Sequence, residues 1–245
     1  LDSIEYAKRI QNAILPPRKV VKQYLQDSFI LYKPKDIVAG DFYWLEHKDD
    51  KVLFAVADCT GHGVPGAMVS VICNNGLNRS VREHGLTDPG EILNMTRQIV
   101  IEEFSKSEEE VLDGMDIALC SLKDNTLNYA GANNPLWIIR KDSEVIEELK
   151  ADKQPIGMSR MKENFTTKSV VLNPGDTFYI FSDGYSDQFG GEKGKKYKSS
   201  NFKKLLLSIQ EHSMADQRIA IDNQFEDWRG DLEQLDDVCV IGVKI

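Results

Sequence analysis

Four aspartate positions carry the chemistry open to this sequence. Asp41 follows Val38-Ala39-Gly40, and Asp58 ends an apolar run over 52–57 and leads into Cys59-Thr60-Gly61-His62-Gly63. Asp183 ends the run over 177–182 and precedes Gly184, while Asp236 and Asp237 open Val238-Cys239-Val240-Ile241. A carboxylate at the end of a buried strand is costly unless it is paired. Lys and Arg are scarce immediately around these positions. A shared divalent cation is the other solution, and Mg²⁺ and Mn²⁺ prefer carboxylate, carbonyl and water oxygens. Two such ions bridged by a carboxylate would present an activated water to a phosphate. The plain alternative is that each aspartate caps a turn. Four of them, each beside glycine or another acid, favour one shared site.

The elements that must position these residues are short strands and longer helices. Strand-rich runs fall at 28–32, 41–46 and 52–58, with Asp49-Asp50 as a hairpin turn. Helices are predicted over about 64–84 and about 88–106, the second with Asp88 as N-cap and Pro89 at its first position. Strands return at about 115–122, 126–131, 136–141, 144–149, 165–172 and 176–182, with Asn173-Pro174-Gly175-Asp176 as a turn. A flexible surface loop is expected over 190–196, helices over about 199–211 and 214–228, and a last strand over 237–244. Hairpin-linked strands with segregated helices predict an α+β layered sandwich of antiparallel sheets.

Residues 1–15 place Leu1, Ile4, Ala7, Ile10 and Ile14 on one helical face, and Pro16-Pro17 end that helix. It reads as a linker or dimerising helix over 1–17, the tail of a missing upstream sensory segment, followed by one domain over 18–245. Packing of this helix on its own domain is the alternative. The chain begins with Leu1 rather than Met, which fits a fragment of a longer protein.

The 245 residues carry 30 Lys and Arg against 39 Asp and Glu, a net charge of −9, with 41% apolar residues. That is a globular composition lacking the general attraction to phosphate backbones, so no nucleic-acid partner is expected. A two-metal nuclease is disfavoured for the same reason. Cys59, Cys73, Cys120 and Cys239 form no C-x-x-C pair and sit in apolar runs, which predicts buried thiols in a reducing cytoplasm. No signal peptide or membrane-length apolar stretch is read, although a longer parent protein could be membrane-anchored.

The segments Gly40-Asp41-Phe42-Tyr43, Asp58-Cys59-Thr60-Gly61-His62-Gly63, Phe181-Ser182-Asp183-Gly184 and Asp236-Asp237-Val238 occur in that order over about 28–245. Together they resemble the motifs of PPM-type metal-dependent serine/threonine protein phosphatases, most closely the bacterial SpoIIE-like, RsbU-like branch. The resemblance implies a four-layer α-β-β-α sandwich with two Mn²⁺ or Mg²⁺ ions at one end of the sheets. Asp58 would bridge both ions, with the Cys59 backbone carbonyl as a further ligand. Asp41 would bind one ion directly or through water, and Asp183 and Asp236 would hold the other. Alternation along a strand lets only one of Asp236 and Asp237 face the metals, and Asp236 is the choice. His62 is either a loop residue that packs or caps, or an acid near the leaving alkoxide. Gly61 and Gly63 would let the backbone approach the site. Asp116 is a candidate extra ligand, with a strand-end role as its alternative. Asp187 is expected to support the site or a helix start.

The phosphate-gripping arginine of eukaryotic relatives has no secure equivalent. Lys33 and Lys35 are merely close in sequence to Asp41. By resemblance, the substrate is a phosphorylated STAS-type anti-anti-sigma factor in bacterial partner-switching signalling. Rotation or dimerisation of the 1–17 helix would switch activity, with a homodimer through that helix. A catalytically silent signalling module with the same fold is the rival reading.

Overall fold

The computed structural model describes residues 1–160 and 162–245. Two five-stranded antiparallel sheets stack between helices. One sheet has the order β1 (Ser28–Lys33), β12 (Val238–Lys244), β9 (Thr177–Phe181), β6 (Leu136–Ile139), β7 (Ile146–Leu149). The other runs β2 (Asp41–Lys48), β3 (Lys51–Cys59), β4 (Met115–Lys123), β5 (Thr126–Ala132), β8 (Lys168–Val171). Helices α3 (Gly63–Arg82) and α4 (Pro89–Phe104) cover the second sheet, while α5 (Gly184–Asp187), α6 (Ser199–Ser208) and α7 (Met214–Arg229) lie against the first. The expected α+β four-layer sandwich is therefore present.

Strands buried on both faces explain the unbroken apolar runs. In β9, Phe178 and Ile180 enter the core between the sheets, whereas Tyr179 and Phe181 enter the core beneath α6 and α7. In β12, Cys239, Ile241 and Val243 face the first core, and Val238 and Val240 the second. Phe54 meets Phe178 across the sheets with ring centroids 6.0 Å apart. All four cysteines are free and buried.

Local signals behave as their chemistry requires. Asp49 and Asp50 adopt φ of 52° and 59°, the left-handed geometry of a tight hairpin turn. The Asp88 carboxylate accepts the Glu91 N–H at 3.1 Å and caps α4. Several strands are shorter than their apolar runs. The Phe165 and Thr166 amides donate to the side chains of Asn94 and Asp152 instead of to a neighbouring strand. The Lys141 amide likewise donates to Asp176, ending β6 early.

Two expectations need correcting. Residues 190–196 are not a loose loop: β10 (Phe189–Gly190) pairs with β11 (Lys195–Lys196). Helix α1 (Asp2–Ile14) is followed by an unexpected seven-residue helix, α2 (Arg18–Tyr24), with Pro17 at its N-cap. No helix among the described residues is long and apolar enough to cross a membrane.

Candidate active site

Register brings three acids side by side at one end of the second sheet. Asp41 opposes Asp58 across β2 and β3, and Asp58 opposes Asp116 across β3 and β4. The first sheet ends at the same place, where β9 runs into Asp183 and Asp236-Asp237 lead into β12. Asp58, Asp116, Asp183, Asp236, His62 and Cys59 line a cavity of about 480 Å³, with Leu112, Pro155, Ile156 and Gly157 among its other walls. Among the described residues, no lysine or arginine lines it.

The carboxylates disturb one another. Burial, then the Asp41 and Asp183 charges, raises the Asp58 pKa far above the ordinary carboxylate range. Burial raises Asp41 as well, against hydrogen bonds from the Ser182 hydroxyl and with Asp58. Asp236 is pushed up to about 6 by burial, opposed by the Asp237 amide and reinforced by Asp183. Burial also raises Asp116, against its hydrogen bond from Asn133 at 2.9 Å.

Asp41 does not line the cavity. It is 1% exposed, behind Asp58, and its Oδ2 accepts from Ser182 Oγ at 2.5 Å. Asp236 and Asp237 divide their work. Asp237 Oδ1 accepts the Lys35 amide at 2.8 Å, and its Oδ2 accepts the Gly40 amide at 2.8 Å. Asp236 lines the cavity instead. His62 Nδ1 lies 3.0 Å from Asp36 Oδ2, which sequence reasoning did not single out.

Backbone proximity sets where glycine is needed. Gly61 has φ of 80°, and its carbonyl approaches both Gly40 and Gly66 so closely that a Cβ on either would lie 2.6 or 2.7 Å away. Gly61 thus makes the tight approach with Gly40 and Gly66, and Gly63, the other glycine expected here, has φ of 62° with Asp36 Oδ2 3.1 Å from where its Cβ would lie. A Cβ on Gly184 would meet the Asp237 carbonyl at 1.9 Å, so the Asp183 and Asp237 segments pack backbone to backbone.

Other candidates are placed elsewhere. Lys33 is committed to Asp222 at 2.6 Å and Glu226 at 2.8 Å on α7. Lys35 contributes its backbone amide to Asp237. Asp187 pairs with Lys196 at 2.9 Å. Buried Gln11 on α1 grips the segment before Asp41: its Nε2 donates to the Ala39 carbonyl at 2.6 Å, and its Oε1 accepts the Ala39 amide at 2.9 Å. Nothing in the sequence pattern separates Gln11 or Asp36 from ordinary surface polar residues.

Residues 48–245 match the family described as stage II sporulation protein E (SpoIIE). The chain is 23% identical over 185 residues to the phosphoserine phosphatase RsbU of Bacillus subtilis (strain 168), an alignment covering 75% of this chain and 53% of RsbU. It therefore spans about half the length of that relative. It is similar to the SiaA-PP2C domain of Pseudomonas aeruginosa, with TM-score 0.90 and 33% identity, covering 100% of this chain and 96% of that one. The structure of the PP2C phosphatase domain and a fragment of the regulatory domain of SpoIIE from Bacillus subtilis shares the fold at TM-score 0.69 and 18% identity, over 89% of this chain and 63% of that one. The chain belongs to the SpoIIE family, with the fold of a PPM-type protein serine/threonine phosphatase domain.

Proposed function

We propose that this domain hydrolyses phosphoserine or phosphothreonine on a partner protein, using two divalent cations, Mn²⁺ or Mg²⁺. The observation that carries the reading is a cavity lined by four carboxylates and, among the described residues, by no lysine or arginine. Among the described residues, no three Asp, Glu, His or Cys side chains stand in ligating geometry. The fit rests on donor chemistry: hard oxygens whose pKa values are raised by burial and mutual repulsion, which a cation relieves.

Asp58, Asp183, Asp236 and the Cys59 carbonyl would hold the ions, with Asp41 acting from behind Asp58 and Asp116 as a further candidate. Cations held there supply an activated water at neutral pH and neutralise phosphate charge. Ser182 orients Asp41 through its 2.5 Å hydrogen bond. Asp237 fixes the loop from which Asp41 emerges. His62, steered by Asp36, donates a proton to the serine oxygen as its bond to phosphorus breaks. No covalent enzyme intermediate is required.

The likeness to the phosphoserine phosphatase RsbU supports a phosphoserine substrate; the family resemblance of the sequence motifs extends the proposal to a phosphorylated STAS-type anti-anti-sigma factor in bacterial sigma-factor regulation within the cytoplasm. Gln11 supports a switching role for residues 1–17, since it ties α1 to the Asp41 segment. Exposed Tyr6 and Ile10 on α1 and Met68 on α3 supply apolar surface for a homodimer.

The test is hydrolysis of para-nitrophenyl phosphate and of a phosphoserine peptide with Mn²⁺, with EDTA and with Asp236→Asn. Turnover that needs the metal and is lost in the variant is expected. Absence of both turnover and calorimetric metal binding would overturn the reading in favour of a silent binding module.

A further inference from the structure

We infer that the β10–β11 hairpin and the start of α6 form a docking surface for an acidic segment flanking the phosphorylated residue of the substrate. This rests on the phosphatase reading above. Residues 193–204 contain six lysines and no acid, within a chain of net charge −9. Lys193, Lys195, Lys196, Lys198 and Lys204 are all exposed. Lys196 pairs with Asp187, and Lys203 lies 3.8 Å from Glu148. Among the described residues, no ion pair engages Lys193, Lys195, Lys198 or Lys204.

These lysines are presented on a fixed scaffold. The Gly191 amide donates to the Trp228 carbonyl at 2.8 Å, and a Cβ on Gly190 would meet that carbonyl at 1.8 Å. The Tyr197 amide donates to the Gln188 carbonyl at 2.9 Å, and the Lys198 amide to the Ser186 carbonyl at 2.8 Å. Lys198 is held at φ of 76° and ψ of 152°, a conformation that suits glycine far better than a side chain bearing Cβ.

The scaffold is joined to the catalytic cavity at two points. Lys196 is anchored on Asp187, four residues beyond Asp183, or about 6 Å along the helix. Gln188 donates to the Glu233 carbonyl at 2.9 Å and accepts the Leu235 amide at 3.0 Å, immediately before Asp236. An extended substrate rises about 3.3 Å per residue, so residues a few positions from the phosphoserine are the ones this surface would meet. Exposed Phe189 and Leu235 add apolar contact beside them. A carboxylate-bearing segment is the partner whose charge complements this surface, and the lysines offset locally the repulsion that a chain of net charge −9 otherwise presents to an acidic peptide.

The experiment compares two phosphoserine peptides of equal length, one flanked by Asp and Glu and one by Lys, together with para-nitrophenyl phosphate. The protein is the 245-residue chain with Mn²⁺ and its K193E/K195E/K198E variant, which leaves the Lys196–Asp187 pair intact. Peptide binding is followed by fluorescence anisotropy alongside turnover, so the surface is read even without hydrolysis. Wild type is expected to favour the acidic peptide, with a preference that fades as NaCl is raised. The variant is expected to lose about tenfold in kcat/KM for that peptide, through KM, as three exposed charge pairs would. Its para-nitrophenyl phosphate turnover and melting temperature should stay unchanged, and a K193Q/K195Q/K198Q variant should fall between. Equal affinity of wild type for both peptides, or a preference that survives charge reversal, overturns the docking surface. Failure of wild type to hydrolyse para-nitrophenyl phosphate, together with no calorimetric Mn²⁺ binding, overturns the phosphatase reading instead.

Discussion

The Gly40 amide donates to Asp237 Oδ2 at 2.8 Å across 197 residues of chain. With the Lys35 amide on Oδ1, this bond makes the second acid of the Asp236-Asp237 pair a structural clamp between the two sheets. Asp237→Asn turns an NH₂ group toward a backbone N–H and removes a charge-assisted acceptor. It should destabilise the domain by about 2–3 kcal/mol in chemical denaturation. Asp236→Asn should melt near wild type while abolishing metal-dependent turnover. Equal effects of the two substitutions on stability would refute this division.

Asp58 is costly to the metal-free fold because burial and its acidic neighbours oppose its charge. A carboxyl with a raised folded pKa contributes full stability below its unfolded pKa of about 4 and loses it as pH rises through the folded value. In EDTA at pH 7, Asp58→Asn should therefore raise the melting temperature. In millimolar Mn²⁺ the wild type should gain stability and the variant should not. Differential scanning fluorimetry checks both.

The Asp36–His62 contact predicts a dependence on leaving group. A serine alkoxide needs a proton as it departs, whereas para-nitrophenolate leaves readily without one. His62→Gln should lower kcat on a phosphoserine peptide by about 10²-fold and leave para-nitrophenyl phosphate nearly unaffected. Asp36→Asn should show a smaller effect in the same direction. Equal losses on both substrates would remove His62 from the acid role.

Gln11→Ala leaves the Ala39 N–H and C=O without their buried partner, at a cost of about 1–3 kcal/mol. Since Asp41 lies two residues on, the Mn²⁺ concentration for half-maximal turnover should rise. Unchanged metal dependence would separate α1 from the site.

Asp176 reports on the acid stability of the opposite end of the fold. Burial raises its pKa, but the Asn173 and Lys141 amides and the Arg140 guanidinium together hold it below the ordinary carboxylate value. Its stabilisation is therefore complete above the unfolded pKa of about 4 and is lost as pH falls through the lower folded value. Asp176→Asn should cost about 1–3 kcal/mol at pH 7 in urea denaturation, and progressively less below about pH 4.

The layered fold was legible because its signals are local. Period-two burial, Asp-rich turns and the Asp88 cap each act within a few residues, and the structure places them accordingly. Strand ends were harder, since an apolar run does not disclose that its last amides will be taken by Asn94, Asp152 or Asp176. The 190–196 segment read as a loop because its glycines and lysines carry no period. Its order comes from Trp228 and Gln188.

By itself, the sequence determined which acids stand at strand ends, because strand propensity, turn chemistry and glycine placement are properties of short windows. Tertiary structure alone decided what each acid does there. It placed Asp236 in the cavity and Asp237 on the Lys35 and Gly40 amides, put Asp41 behind Asp58, and spent Lys33 on α7. It also brought Gln11 and Asp36, which no pattern distinguishes, against the site. The physical reason is that the role of a buried polar group is set by the donors and charges that fill its space, and those arrive from distant parts of the chain.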